Sequence, residues 1–220
     1  MRLLKYLSFL PLVLFSTSAC VSTKETAYKP DQTNLSVFER EVQYELSRDF
    51  WTQAPRCVTI LPISTSQKGG ADNSQIENAF GRYLFGKVER VISPQMRDRK
   101  TRTLALDLNY PVDRKYWAKA TNCPYFMKLT PLDDQGNYAL FWSRKAVGVE
   151  AILIDASENQ SLWKARHVAD RFNGGLPLSP FDAALSLFKA NSLTFDQDVN
   201  ASLADDLARR ILATLPSITG

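Results

Sequence analysis

The sequence predicts an α/β fold, one mixed sheet of about five strands covered by helices. Three observations carry this. Short β-branched runs alternate with amphipathic segments through the first half, the order expected of parallel strands joined by right-handed crossovers. Three later strand patterns follow one another with only short turns, which predicts an antiparallel meander at one edge. Hydrophobic residues at 45% and charged residues at 23% are ordinary values for a globular chain.

The elements follow in chain order. Phe38, Val42, Leu46 and Phe50 recur every fourth residue among Glu39, Arg40, Glu41, Glu45 and Arg48. That spacing predicts an amphipathic helix from Ser36 to Trp51, stopped by Pro55. Cys57 to Ile63 is a short apolar run and reads as a buried strand, with Pro62 marking where pairing stops. After a loop holding Gly69-Gly70, Asn73-Ser74 opens a helix with apolar residues Ile76, Ala79, Phe80, Tyr83 and Leu84. Ser74 and Glu77 have capping-box spacing. Val88 to Ile92 is the second strand.

Ser93-Pro94 reads as an N-cap followed by proline at the first helical position, leading a charged helix from Gln95 to Arg102. Pro111 to Thr121, with Tyr116, Trp117 and Ala120, is the next helix. Pro124 to Leu132 is the third strand, and after the turn Asp133 to Asn137 the pattern resumes from Tyr138 to Trp142. Ala146 to Asp155 and Ser161 to Val168 form a hairpin around Ser157 to Gln160. A Gly/Pro-rich loop spans Asn173 to Pro180, and Phe181 to Lys189 is a short helix. The last helix carries Val199, Leu203, Leu207, Ile211 and Leu215. Its Asp205-Asp206 precede Arg209-Arg210, the order that suits the helix dipole, and Pro216 ends it.

Ahead of these elements, Arg2 and Lys5 precede the apolar block Leu7 to Phe15 and the small-residue run Ser16 to Cys20. Residues 1–19 read as a secretory signal peptide. The block is too short for a bilayer span, which needs about 20 apolar residues. The run ending at Cys20 resembles the lipobox of bacterial lipoproteins, with Thr17 where leucine is usual. The resemblance implies cleavage before Cys20 and lipidation of that cysteine, palmitate included. Residues 20–36 then read as a lipidated N-terminus and flexible polar tether, able to reach about 50 Å when extended. Residues 37–216 read as a single α/β domain with N- and C-terminal helices.

Chemistry is sparse. With 27 basic against 23 acidic residues, the charge balance gives no basis for nucleic-acid binding. The one histidine, His167, excludes most His-based metal sites. His167 with Asp155 or Asp170 could be drawn as part of a hydrolase triad, but no Gly-x-Ser-x-Gly elbow is present. Its strand position beside Arg166 favours a surface or edge-strand histidine. Asp133-Asp134, Asp196 and Asp198 lack the ligand count and glycine of a calcium loop. Gly69-Gly70 lacks the Gly-Lys-Ser/Thr ending of a phosphate loop. No catalytic residue, metal or cofactor is therefore assigned, and the chain is expected not to be an enzyme. Arg97, Arg99, Lys100 and Arg102 read as a solvated helix face, with anionic lipid or an acidic partner as the functional alternative. Tyr138 and Trp142, on one strand face with Leu140, are the candidate partner surface.

Several of these segments together resemble a known group. They are Val58-Thr-Ile-Leu-Pro-Ile63, Val88-Glu-Arg-Val-Ile92, Cys123-Pro-Tyr-Phe and the hairpin Val149 to Arg166 with Asp155-Ala156 and Leu162-Trp163. The pattern is similar to the periplasmic bacterial lipoproteins that share a domain with CsgG, LpoB and the N-terminal part of TolB. At the hairpin turn Asn159 stands in place of the group's glycine. The resemblance implies a sheet order of second, first, third, fourth and fifth strand, which makes the Cys57 and Cys123 strands parallel neighbours. It thereby implies a Cys57–Cys123 disulfide. It also implies a periplasmic protein anchored in the outer membrane, because Val21-Ser22 lacks the aspartate that retains many lipoproteins in the inner membrane. The implied role is a docking domain for an envelope partner. The alternative is a homo-oligomeric subunit of an envelope transport or secretion assembly.

Overall fold

The computed structural model describes residues 23–30, 41–63, 73–132, 144–156, 160–172 and 197–218. Cys20, Tyr138, Trp142 and the helix expected at 181–189 lie outside the described residues. The elements are β1 (Lys24–Ala27), β2 (Glu41–Leu46), α1 (Asp49–Gln53), β3 (Cys57–Ile60), α2 (Asn73–Leu84) and β4 (Arg90–Ile92). They continue with α3 (Pro94–Leu104), α4 (Pro111–Thr121), β5 (Tyr125–Leu132), β6 (Arg144–Asp155), β7 (Ser161–Phe172) and α5 (Gln197–Ala213).

The strands form one seven-stranded mixed sheet in the order β1-β2-β7-β6-β5-β3-β4. β4, β3 and β5 run parallel, and β5, β6 and β7 form the antiparallel meander, so the order implied for these five strands holds. The count is seven rather than five because two strands are added beyond β7. β2 pairs antiparallel with β7, and β1 pairs parallel with β2.

β2 corrects the helix expected from Ser36 to Trp51. A spacing of four fits a helical stripe, but it is also a multiple of two. Val42, Tyr44 and Leu46 alternate with Gln43 and Glu45, and the alternation wins because β7 offers a paired edge. Among the described residues of this stretch, the helical ones are those of α1, Asp49–Gln53. β1 lies within the stretch read as a tether.

Two cores sit on opposite faces of the sheet. On one, Val58, Ile60, Met127, Leu129, Val149, Ala151, Leu153, Trp163 and Ala165 pack against Ile76, Phe80 and Leu84 of α2 and Leu203, Leu207 and Ile211 of α5. Each large apolar side chain buried this way contributes roughly 1.5–3 kcal/mol. On the other face, Cys57, Leu61, Ile92, Cys123, Phe126 and Ile154 pack against Leu108 and Trp117, which seats α4 over β3 and its neighbours. Between β5 and β7, Gly148 permits close approach: a Cβ there would lie 3.0 Å from Leu132 Cβ and Val168 Cγ2.

Candidate functional site

α4 begins at Pro111, at the first helical position, where no amide donor is lost. It ends at Asn122, whose φ of 50° places it in the left-handed region that asparagine tolerates. Its inner side is fixed. Trp117 is fully buried, and its indole N–H donates to Thr59 Oγ1 at 2.9 Å. Thr59 Oγ1 in turn donates to Cys123 Sγ at 3.6 Å. Cys123 is bonded to Cys57 with Cα atoms 5.2 Å apart, so the implied disulfide is present. Arg90 closes the arrangement: Nε donates to Cys57 Sγ at 3.1 Å and Nη2 to the Thr121 carbonyl at 2.9 Å. Arg114 Nη1 donates to the Leu108 carbonyl at 2.7 Å and ties the start of α4 to the preceding loop.

The outer side of α4 is open. Tyr110, Val112 and Tyr116 are each 63% exposed. Lys115 and Lys119, one helical turn apart, are exposed beside Tyr116. Val112 and Tyr116, with Lys115 and Lys119, form a stripe along one side of the helix, and Tyr110 is exposed just ahead of its first turn. Phase is the signal that could have found it. Arg114, Trp117 and Thr121 recur at three and four residues and take the inner face. Val112 and Tyr116, also four apart, fall outside that phase.

The other charged candidates change character. Arg97 is buried rather than part of a solvated basic face. Its Nη2 pairs with Glu77 Oε2 at 2.8 Å, and Nη1 donates to the Ile60 carbonyl at 2.9 Å. Glu77 Oε1 accepts from the Ile63 amide at 2.8 Å, so Glu77 ties α2 to α3 and to the segment that follows β3. Arg99, Lys100 and Arg102 remain exposed on α3. Ser93 caps α3 as expected, its side chain accepting from the Met96 amide at 3.4 Å.

His167 corrects the expectation of a surface or edge histidine. β7 lies inside the sheet between β2 and β6, and His167 is 2% exposed, with Nδ1 2.8 Å from the Glu41 carbonyl. On the opposite face of β7, Arg166 is buried and donates to Gln43 Oε1 from Nε at 3.0 Å and from Nη2 at 2.9 Å. The Tyr28 ring lies under both Lys164 Nζ, at 4.4 Å, and Arg166 Cζ, at 4.7 Å. Tyr28 donates its hydroxyl to Glu150. Burial, reinforced by that bond, pushes the Tyr28 hydroxyl up to about 12. No helix of the described residues is long and apolar enough to cross a membrane.

No family model and no curated protein matches the chain. Among solved structures it is similar to the PelC dodecamer from Paraburkholderia phytofirmans, at 15% identity and a TM-score of 0.43, covering 80% of this chain and 96% of that one. It is also similar to the lipoprotein GNA1162 from Neisseria meningitidis, at 12% identity and a TM-score of 0.46, covering 64% and 100%. A third is the hypothetical protein CT253 from Chlamydia trachomatis, at 11% identity and a TM-score of 0.36, covering 71% and 93%. Likenesses of this size leave the role to be argued from the chain's own residues.

Proposed function

We propose that the chain is a non-enzymatic, lipid-anchored protein of the bacterial envelope that docks a partner protein through α4. Cys20 holds it on the periplasmic side of the outer membrane. The observation that carries docking is the outer stripe of α4, with Val112 and Tyr116 open on a helix whose inner side is pinned by Trp117 and the disulfide, and Tyr110 exposed just ahead of it. Tyrosines supply broad contact area at low rotamer cost, and a rigid seat reduces the entropy lost on association. Lys115 and Lys119 select a surface bearing carboxylates. The basic, apolar and small-residue order from Arg2 to Cys20 supports export and anchoring. A disulfide between buried cysteines fits an oxidising compartment.

Two variants test the reading. Cys20→Ser is expected to leave the membrane fraction and collect in the soluble periplasm; its retention in the membrane with the signal peptide removed would sink the anchoring claim. Tyr116→Asp with Lys119→Glu is expected to stay folded and membrane-bound while losing its co-purifying partner. A wild-type homo-oligomer in detergent that dissociates in this variant would instead assign the stripe to self-association, the subunit reading. Tyr138 and Trp142 are the comparison positions.

A further inference from the structure

We infer that the lipid-bearing cysteine joins the sheet through a stub of only three residues, which holds the Lys24 corner of β1 at the lipid headgroups. The inference rests on the lipidation of Cys20 proposed above. The sequence reads residues 20–36 as a tether because they are polar and without apolar period. In the structure Thr23 to Lys29 are tied to the sheet and to α5. Arg210 Nη1 donates to Thr23 Oγ1 at 2.6 Å, and Arg210 is itself held by Asp206 at 2.8 Å. Lys24–Ala27 pair with Glu41 to Tyr44 of β2. The Tyr28 amide donates to the Tyr44 carbonyl at 3.0 Å, and the Tyr28 ring is clamped by Lys164, Arg166 and Glu150. The Lys29 carbonyl accepts from Arg166.

Three residues reach at most about 10 Å. The headgroup layer on each side of a bilayer is roughly 5–8 Å thick, so an anchored Cys20 leaves the start of β1 almost no clearance. Lys24 is exposed at this corner and suits anionic phosphates. α4 lies over β3, five strands from β1 in the sheet, or about 24 Å at the usual strand spacing. The anchor therefore puts the β1 corner at the lipid, with α4 five strands away across the sheet.

Headgroup quenching tests this on the full lipidated chain in phosphatidylethanolamine–phosphatidylglycerol vesicles. A fluorescent amino acid is placed at Glu25 or, separately, at Tyr116, and a nitroxide is carried on the lipid headgroup. The stub predicts strong quenching at Glu25 and weaker quenching at Tyr116. Inserting about ten Gly/Ser residues between Ser22 and Thr23, which leaves the fold untouched, is expected to cut the Glu25 quenching at least by half. Lipidated chain with Glu25 quenched no more than Tyr116, or unchanged by the insertion, overturns the stub alone. Intact mass of the same preparation showing unmodified Cys20 overturns the anchoring reading and the stub with it.

Discussion

Trp117 and Thr59 meet across 2.9 Å between α4 and β3, and the Thr59 hydroxyl passes the contact on to Cys123 Sγ. One buried hydroxyl thus joins the helix that carries the exposed stripe to the disulfide under the sheet. Thr59→Val removes the acceptor and leaves the buried indole N–H unsatisfied. It should cost about 1–3 kcal/mol. Trp117→Phe loses the same bond while keeping a ring in place, and should cost less than Trp117→Ala, for which about 3–5 kcal/mol is expected. Urea unfolding of the three variants checks this; Thr59→Val and Trp117→Phe as stable as the wild type would mean that the hydrogen bond contributes nothing.

The disulfide closes a sequence separation of 66 residues. In the chain-entropy model such a loop stabilises by about 4 kcal/mol. Unfolding with and without a thiol reductant should show a loss of that order, and Cys57→Ser with Cys123→Ala should reproduce it. A midpoint insensitive to reductant would contradict a formed bond.

Arg97 and Glu77 are a buried ion pair, and the two partners are not separable. Glu77→Ala leaves the buried Arg97 guanidinium with only the exposed Asp98 carboxylate, 2.8 Å from Nε, as counter-charge, and should cost less than the about 3–5 kcal/mol of a fully unpaired buried charge. Glu77→Leu with Arg97→Met removes both charges and should cost markedly less. A double variant as damaging as the sum of the singles would show that the two groups act independently.

Tyr28 gives a pH dependence of known sign. Its hydroxyl is raised from 10.0 to about 12 in the folded chain, burial being the larger cause and the bond to Glu150 the next. The folded state therefore keeps a proton that the unfolded state has released. The contribution is whole below pH 10 and is lost as pH rises through 12. Stability measured across that window should fall less steeply in Tyr28→Phe than in the wild type. Parallel curves would remove Tyr28 as the group responsible.

Most of the sheet is legible from local pattern. β3, β5, β6 and β7 bury enough β-branched and apolar residues to declare themselves, and α2, α4 and α5 show helical spacing. What escapes depends on partners distant in sequence. β2 reads as helix because positions 38, 42, 46 and 50 satisfy both periods, and only β7 decides between them. β1, with Lys24, Glu25 and Thr26, has no apolar signal at all and is a strand because β2 pairs with it. Arg97 reads as solvent-facing among four basic residues until Glu77, twenty positions earlier, reaches it. The α4 stripe was within reach, since it needs only the phase of the helix that Trp117 sets.

Photo-crosslinking from position 116 in intact cells tests whether α4 docks a partner protein. With a photoreactive amino acid replacing Tyr116 in otherwise wild-type lipidated chain, one dominant adduct to a partner protein is expected. The adduct should be absent when the probe sits at exposed Glu89 and lost when Lys115 and Lys119 are changed to Glu. Adducts at position 116 no different from those at position 89 would contradict a docking role for α4.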